Sequence, residues 1–580
     1  MDLSAILNDN LDDEAPRIKG ETKTGRTIEA NQSISRLLRL PAELYGPIVS
    51  HLSNQNIKSL RLACTFFHGF ARLRLDRVFI SAHQRDIQAL RAIAGSETYR
   101  HGVTELIWDD ARLSYSPLLA QTYNEDDEDD DSETDDDNDQ DVPRWFKDAF
   151  HDNIDDLNSR KGLDADRPEH VARAQQLSRC LPLAACWAHY QKLLREQEAV
   201  LASGADEAAF RHALQRFPSL KRVTISPAPH GWLFSPLYGT PMIRALPYGF
   251  NYPIPRGWPI IPEGYPPHSM RPWPVHRDHE AYKDQWRGVR VALRVLAEPH
   301  TAHGITELVL DAHSLETGLN CRIFEDPGAA SAEYAHLATL LRRPGFARLD
   351  LALAVGGQEH LGWPALRSGH LRAALSGAAD MRHFSVRTNV VPDPDAAALV
   401  RGSGGNSGHL VPLAGIVPVD AWARLEHFGL SGFLVAQADV VALLRGIPSS
   451  LRSVELSFLH FVDGGGDYRG LLEEMRDSLG WRDLEEASRP AVTVGHALVV
   501  QQCGRAVWAD SEAVGSFLYG DGPNPFGDQE GFAPNQIMMG NGMGVERDAF
   551  DPSHERPYVD AAVLTRLGVL KKAPWVERAL

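Results

Sequence analysis

The sequence lacks a long apolar run and has few cysteines. No stretch of 18 consecutive apolar residues occurs among its 580 residues, so no helix that spans a bilayer is expected. The amino terminus carries acids where a secretory signal peptide has a basic start and an apolar centre. The five cysteines form no Cys-x-x-Cys pair, which favours reduced thiols over disulfides or zinc. We therefore expect a protein of the cytoplasm, the nucleus or both, with no membrane partner.

The sequence also lacks an excess of basic residues. It contains 59 Lys and Arg against 77 Asp and Glu, for a net charge of −18. Residues 125–141 hold 13 acids and no base, so the other 563 residues carry a net charge of only −5. A nearly neutral chain of this kind is not expected to bind nucleic acid. Because a block of like charges stays solvated, 125–141 is either a flexible surface insertion or a docking segment for a basic partner, such as a histone or a nuclear import factor.

Motifs of catalysis and metal binding are absent. The sequence contains neither HExxH nor GxSxG. Its glycine-rich stretches, 402–408 and 464–467, lack the Lys-Ser/Thr ending of a phosphate-binding loop. His276, His279 and Glu280 form only a weak pattern of metal ligands. We therefore expect no catalytic residue, metal or cofactor and interpret the protein as not an enzyme. The alternative, an enzyme on an α/β sheet, would need a pocket lined by converging titratable groups.

Residues 40–70 concentrate apolar side chains at helical spacing. The pattern predicts three short helices, in which apolar residues share a face: Leu44, Ile48, Val49 and Leu52 in the first, Ile57, Leu60 and Leu62 in the second, and Cys64, Phe67, Phe70 and Leu73 in the third. Gly46-Pro47 predicts a break in the first helix near Tyr45, with Pro47 restarting it, because an internal proline costs about 3 kcal/mol. So short a segment cannot bury this much apolar surface within itself, and we expect a second protein to cover one face.

The same stretch resembles the F-box. The elements LP-x-E-L, Ile-Val-x-x-Leu, Ile-x-x-Leu-Arg-Leu-x-Cys and Phe-Phe follow one another between Leu40 and about Ala71. The match covers about 6% of the chain, and its specificity comes from several separate elements that fall in register. The alternative interpretation is an ordinary helical hairpin at the edge of a larger core.

The resemblance implies a function and a set of contact residues. F-box proteins are adaptors in SCF-type ubiquitin ligases: the F-box binds the Skp adaptor, which connects to a cullin scaffold, and the carboxyl-terminal repeats hold a protein substrate. The alternative is an F-box scaffold that binds Skp without a ubiquitination role. Some of the matching residues must pack against each other, and the sequence does not divide the two sets. By resemblance, the Skp-facing residues are Leu40, Pro41, Leu44, Ile48, Leu52, Ile57, Leu60, Cys64 and Phe67.

An L-x-x-L-x-L spacing recurs from residue 217 onward. From position 305 the starts lie 41, 35, 44 and 26 residues apart, and helical patterns precede several of them. Each unit offers a strand and a helix that cannot bury their apolar faces alone, so stacking the units predicts an arc with a parallel sheet. A doubly wound α/β sheet is the alternative. The anchors are Leu220, Val223, Ile225; Ile305, Leu308, Leu310; Phe346, Leu349, Leu351; Met381, Phe384, Val386; Leu425, Phe428, Leu430; and Leu451, Val454, Leu456.

These patterns divide the chain into three parts. Residues 1–33 are predicted to be disordered, 34–81 to form the F-box, and 82–580 to form an irregular leucine-rich-repeat-like domain. The helix, turn and strand at 443–456 look like a repeat of F-box proteins of the fungal leucine-rich-repeat type. Prolines preclude helix and sheet in 227–274, while its many aromatics predict an ordered loop that either covers the repeats or takes part in recognition. A second loop is predicted over 520–557, followed by a closing helix over 559–570.

Overall fold

Two rows of apolar side chains run in register across one sheet. Along the helix-facing side, each parallel strand contributes one residue to the first row and one to the second, and all of them are buried. Alternate residues of a strand point to the same face, so this spacing of two places both rows against the helices. The first row is Val78, Leu106, Val223, Leu308, Leu349, Phe384, Phe428, Val454 and Val492, and the second begins at Ile80 and ends at Val494.

The computed structural model describes most of the chain between residues 40 and 526. The predicted amino-terminal segment, the acidic run, the 402–408 stretch, His276, His279, most of the 520–557 loop and the closing helix lie outside the described residues. The described residues are 40–52, 54–115, 142–160, 173, 175–259, 273, 280–313, 315, 317–325, 331–356, 358, 362–390, 410–462, 464–498, 505–509 and 511–526.

The strands follow their sequence order across the sheet. The order is β1-β2-β3-β4-β6-β7-β8-β10-β12-β13, with β5 pairing β6 and with β9 and β11 forming a separate pair. All pairings are parallel except that of β12 with β13. The bounds are β1 (Arg77–Ser81), β2 (Glu105–Asp109), β3 (Arg222–Ser226), β4 (Glu307–Leu310), β5 (Leu319–Asn320), β6 (Arg348–Ala354), β7 (His383–Thr388), β8 (His427–Ser431), β9 (Leu434–Val435), β10 (Ser453–Ser457), β11 (His460–Phe461), β12 (Ala491–Leu498) and β13 (Arg505–Trp508).

Helices alternate with the strands, and most of the helices after β1 share one core with the sheet. Side chains such as Ser331 and Asp467 begin helices by accepting hydrogen bonds from the amides of Tyr334 and Gly470, at 3.0 and 2.6 Å. The helices are α1 (Ala42–Ser50), α2 (Asn54–Ala63), α3 (Thr65–Phe70), α4 (Gln84–Ala94), α5 (Arg144–Arg160), α6 (Leu183–Ser203), α7 (Ala205–Arg216), α8 (Glu280–Lys283), α9 (Arg287–Ala297), α10 (Ala332–Leu341), α11 (Pro364–Arg367), α12 (His370–Ser376), α13 (Gln437–Arg445), α14 (Tyr468–Ser478) and α15 (Ser511–Tyr519).

The strand order lacks a feature that one of the two predicted architectures requires. A doubly wound sheet reverses its strand order at a switch point, and the described strands show no reversal. The predicted α/β class with a parallel sheet is confirmed, and the anchors of the L-x-x-L-x-L motif lie on or directly before β3, β4, β6, β7, β8 and β10. The same spacing also occurs at Leu75, Val78, Ile80 and at Val103, Leu106, Trp108, so the sheet begins at β1.

The predicted break in the first helix is wrong. Helix α1 runs from Ala42 to Ser50 with Pro47 inside it. In a helix of nine residues this proline removes one hydrogen bond, and Gly46 before it brings no side chain into the turn. Tyr45 is 3% exposed and packs against three phenylalanine rings of α3, so tertiary packing outweighs the local cost.

Part of the proline- and aromatic-rich segment, which we call the covering segment, packs on β1 and β2 at the open sheet face, the face opposite the helices. Its described part, 227–259 and Trp273, contains one short 3-10 turn, Ile243–Ala245, and no longer helix or strand. Leu237 and Tyr238 pack on Ile107 of β2. Most of the described aromatic side chains of this segment are buried.

Truncating a core leucine of the central sheet is expected to destabilise the protein strongly. Leu308 on β4 is fully buried, whereas Leu62 on α2 is 71% exposed. Leu308→Ala leaves a cavity and should lower the free energy of unfolding by about 2–5 kcal/mol. The matched variant Leu62→Ala should change it by less than about 0.5 kcal/mol. Urea unfolding followed by tryptophan fluorescence measures both, and equal losses would contradict the assignment of the core.

Candidate functional site

The three amino-terminal helices bury only part of their apolar surface. Ile57 is fully buried and packs with Ala71, Leu73 and the half-buried Val49, Leu52 and Leu60. A second internal group forms around Tyr45, whose ring centroid lies 5.2 Å from Phe66, 5.7 Å from Phe67 and 5.5 Å from Phe70. These two groups hold the helices together and leave the opposite sides of the helices open.

Five large apolar side chains remain exposed on this unit. They are Leu44 (47%), Ile48 (39%), Leu62 (71%), Phe66 (45%) and Phe70 (39%), and we call them the exposed apolar face. Among the described residues, only two other large apolar side chains are comparably exposed, Tyr115 and Tyr248. Five of these seven exposed side chains belong to one unit of about thirty residues, which makes this unit the candidate interaction site, whereas single exposed apolar residues need no explanation.

Hydrogen bonds fix the geometry of the unit. Arg74 donates from its guanidinium to the carbonyl groups of Val49, at 3.2 Å, and Ser50, at 2.5 Å, and also to that of Leu52. These carbonyls close the carboxyl end of α1, where helix groups lack internal partners and cations are favoured. Asn54 bonds the backbone of Arg74 in both directions, at 2.6 and 2.9 Å. The linker after α3 thereby holds α1 and α2 in place.

The nine residues that the resemblance assigned to Skp binding differ in their burial. Pro41, Leu44 and Ile48 are exposed, while Ile57 and Phe67 are buried. The half-buried residues are Leu40, Leu52, Leu60 and Cys64. The resemblance did not assign Leu62, Phe66 and Phe70 to the contact set. Phe66 and Phe70 are four residues apart in α3 and share one side of that helix, whereas Leu62 belongs to α2, which ends at Ala63. Phe66 and Phe70 stack with ring centroids 5.9 Å apart.

The open face of the sheet carries polar side chains. On β6, β7 and β8, His383 lies 2.7 Å from Asp350 Oδ1 and stacks on His427 at 4.1 Å. His427 in turn lies 2.7 Å from Ser453 Oγ and 3.2 Å from Ser385 Oγ. Burial alone would raise the pKa of Asp350, but the charges and hydrogen bonds of His383 and Arg348 outweigh it and hold this pKa well below its ordinary value.

Charged side chains on β1–β4 neutralise each other in the same row. Arg77 lies 2.9 Å from Glu105, and Arg222 lies 2.6 Å from Glu307 and 3.9 Å from Glu105. Cations and anions therefore alternate across four adjacent strands. Such cross-strand pairs stabilise a sheet.

A buried polar cluster lies between β2 and the covering segment. His230 Nδ1 is 2.9 Å from the Tyr252 hydroxyl, and His230 Nε2 is 3.6 Å from Asp109 Oδ2. Each of the three side chains is buried. Burial lowers the pKa of His230 to about 3 and raises that of Asp109 well above its ordinary value, with a further contribution from the charge of Asp86. A cluster closed to solvent offers no substrate access, so it joins the segment to the sheet.

The weaker chemical candidates also have structural roles where they are described. Glu280 pairs with Arg290 at 2.6 Å, and Asp467 of the 464–467 stretch caps α14. A groove of about 440 Å³ between α7, α9 and α10 is lined mainly by charged residues, and its arginines Arg287, Arg290 and Arg294 pair with carboxylates. In the described part of the chain no group of three potential ligands could hold a metal, and no helix is long and apolar enough to cross a bilayer.

No family model matches this chain, and no curated protein matches it either.

Removing one buried histidine is expected to reduce acid sensitivity. His460 on β11 is 4% exposed, and burial lowers its pKa from 6.5 to about 4. The unfolded chain therefore takes up a proton below pH 6.5 that the folded chain does not accept until about pH 4, so stability is lost as the pH falls through this window. His460→Leu should recover as much as about 3 kcal/mol of that loss. Urea unfolding at pH 7 and pH 4 measures the loss in free energy of unfolding for the wild type and for His460→Leu. Equal losses in the two proteins would contradict the prediction.

Proposed function

We propose that this protein is the substrate-recognition subunit of an SCF-type ubiquitin ligase. It binds the Skp adaptor through an F-box formed by α1–α3, and the adaptor connects it to a cullin. The observation that carries the proposal is the exposed apolar face, because it lies on the stretch that resembles the F-box. A partner would complete the burial that these helices leave unfinished.

The contacts within the unit support a role in binding. Tyr45, Ile57 and Phe67 are buried by their own chain, so they hold the helices in position. Leu44 and Ile48 are exposed and belong to the residues that the resemblance assigns to Skp. We add Leu62, Phe66 and Phe70 to the proposed contact set, since they are exposed on the same unit. Pairs of aromatic and aliphatic anchors of this kind dominate the energy of many interfaces.

The sheet domain is proposed to be an irregular leucine-rich-repeat arc that holds a protein substrate. Sequential parallel strands with alternating helices support this interpretation. Within the described residues, the covering segment packs over β2 and leaves the half-buried polar side chains of β6–β10 open. We propose this polar part, which includes Asp350, His383 and His427, as the substrate surface. In this proposal the protein is not an enzyme, because other subunits perform the ubiquitin transfer.

Two further parts of the proposal concern location and charge. The protein is proposed to act in the cytoplasm, the nucleus or both, where thiols such as Cys186 and Cys321 stay reduced. The acidic run at 125–141 is either a surface insertion or a docking segment for a basic partner, and binding to such a partner would weaken as salt is added.

Truncating two exposed residues of α1 is expected to abolish binding to the adaptor. Leu44→Ala with Ile48→Ala removes apolar contacts to the partner without opening a core cavity, since the side chains are 47% and 39% exposed. Co-purification of a Skp adaptor with the full chain should be lost, while the thermal midpoint should shift by less than about 2 °C.

Tyr248→Ala serves as the matched control. Tyr248 is 60% exposed on the covering segment, so its truncation should leave adaptor binding unchanged. Retained adaptor binding in the α1 double variant would contradict the proposed F-box, as would a loss of binding in the control.

Recruitment of a cullin separates the ligase subunit from the second candidate function. An F-box scaffold would bind the Skp adaptor through the same exposed apolar face but would not bring a cullin. We expect a cullin to co-purify with the wild-type chain and to be lost with Leu44→Ala/Ile48→Ala. Two results together would favour the scaffold. The adaptor would co-purify without a cullin, and no protein that binds this chain would accumulate in cells from which the chain is removed.

A further inference from the structure

The three-helix unit carries cations that no carboxylate of the described residues neutralises. Residues 40–74 contain Lys58, Arg61, Arg72 and Arg74 but only one acid, Glu43, for a net charge of +3 in a chain of −18. None of the four cations lies within ion-pair distance of a carboxylate among the described residues. Elsewhere on the same molecule, arginines such as Arg211, Arg222 and Arg290 each contact two or more acids.

The bonds that two of these cations do make leave their charges in place. Arg61 donates to the carbonyl of Ala71 at 2.9 Å, and Arg74 donates to the carbonyls that close α1. A carbonyl group satisfies a guanidinium proton but carries no formal charge to oppose it. Arg72 is exposed. The pKa of Lys58 is lowered by partial burial and by the nearby positive charge of Arg244, so the surroundings of Lys58 add a further cation.

The cations lie next to the exposed apolar face along the chain. Lys58 precedes Leu62 by one helical turn, so the two share a side of α2. Arg72 follows Phe70 by two residues, and Arg74 binds the end of the helix that carries Leu44 and Ile48. The unit thus carries exposed apolar side chains and cations close together along the chain, and protein interfaces commonly combine an apolar core with a polar rim.

We propose that the partner of this unit is an acidic protein whose carboxylates surround an apolar groove and pair with Lys58, Arg61, Arg72 and Arg74. This inference rests on the proposed function and adds the charge of the adaptor surface. An isologous contact with a second copy of the chain does not fit, because it would bring one positive surface against another. An anionic membrane fits less well, since the apolar side chains come from three helices of one packed unit rather than from one amphipathic helix.

The charge of the rim predicts a distinct kinetic signature. Rim charges chiefly steer association and are screened by salt, whereas desolvated apolar contacts determine dissociation. Binding of a purified Skp adaptor to the immobilised full chain should therefore weaken about tenfold between 50 and 300 mM NaCl, through a slower association rate. Arg72→Glu should lower the association rate severalfold at 50 mM NaCl and reduce the salt dependence. Leu44→Ala/Ile48→Ala should instead raise the dissociation rate.

Arg445→Glu is the matched control, because Arg445 is an exposed arginine far from the three-helix unit. It ends α13, the helix before β10, and β10 is the seventh strand after β1 in the sheet order. The association rate of this variant should equal that of the wild type, and an unchanged thermal midpoint of each variant shows that it is folded. If adaptor binding depends on Leu44 and Ile48 but neither on salt nor on Arg72, the acidic-rim proposal is overturned and the proposed function stands. If the wild-type chain does not bind the adaptor but binds phosphatidylserine vesicles, both proposals are overturned.

Discussion

The structure depends on the in-register packing of two apolar rows across a parallel sheet. A single strand such as β4, with Leu308 and Leu310, cannot bury both residues against one helix. It is covered because β3 and β6 place Ile225 and Leu351 beside Leu310 in the same row. Each unit therefore gains its core from its neighbours, which is the condition that makes a stack of repeats cooperative. Because only the rows must match, the connections between strands can vary greatly in length.

Because the connections can vary in length, one long connection can cover part of the open face. The connection after β3 is long, and it returns across the strands with Leu237 and Tyr238 on Ile107. Polar groups that it buries find partners: Asp110 accepts from the Trp258 indole at 2.8 Å and from the Gly288 amide at 2.8 Å. Burial disfavours the charged form of the Asp110 carboxylate and raises its pKa to about 6. Of the later connections, the one after β4 places Leu315 in the same apolar group, and its His313 carbonyl accepts from Arg387 of β7. Asp350, His383 and His427 on the open face stay half-buried.

Local spacing made the sheet predictable, whereas tertiary contacts decided the features that were not. The L-x-x-L-x-L spacing identified Val223, Phe384 and Val454 as inward residues because a strand has a strict period of two. The course of α1 through Pro47 could not be read in this way, since the packing of Tyr45 on three rings overrides a local penalty. The division of residues 40–74 into buried and exposed sets had the same cause. Ile57 and Leu62 belong to one predicted apolar face, yet one is fully buried and the other 71% exposed.

The contrast between the two parts of the molecule bears on how a partner would be recognised. In the sheet domain, opposite charges neutralise one another within the chain, as in the row from Arg77 to Glu307. A surface of this kind has little electrostatic attraction left for another molecule. In the three-helix unit large apolar side chains stay exposed, and the cations pair with no carboxylate among the described residues. An interaction that satisfies both at once gains apolar burial and charge pairing from the same contact. A purely apolar or a purely acidic surface would satisfy only one of them, so under this proposal the combination would select the partner.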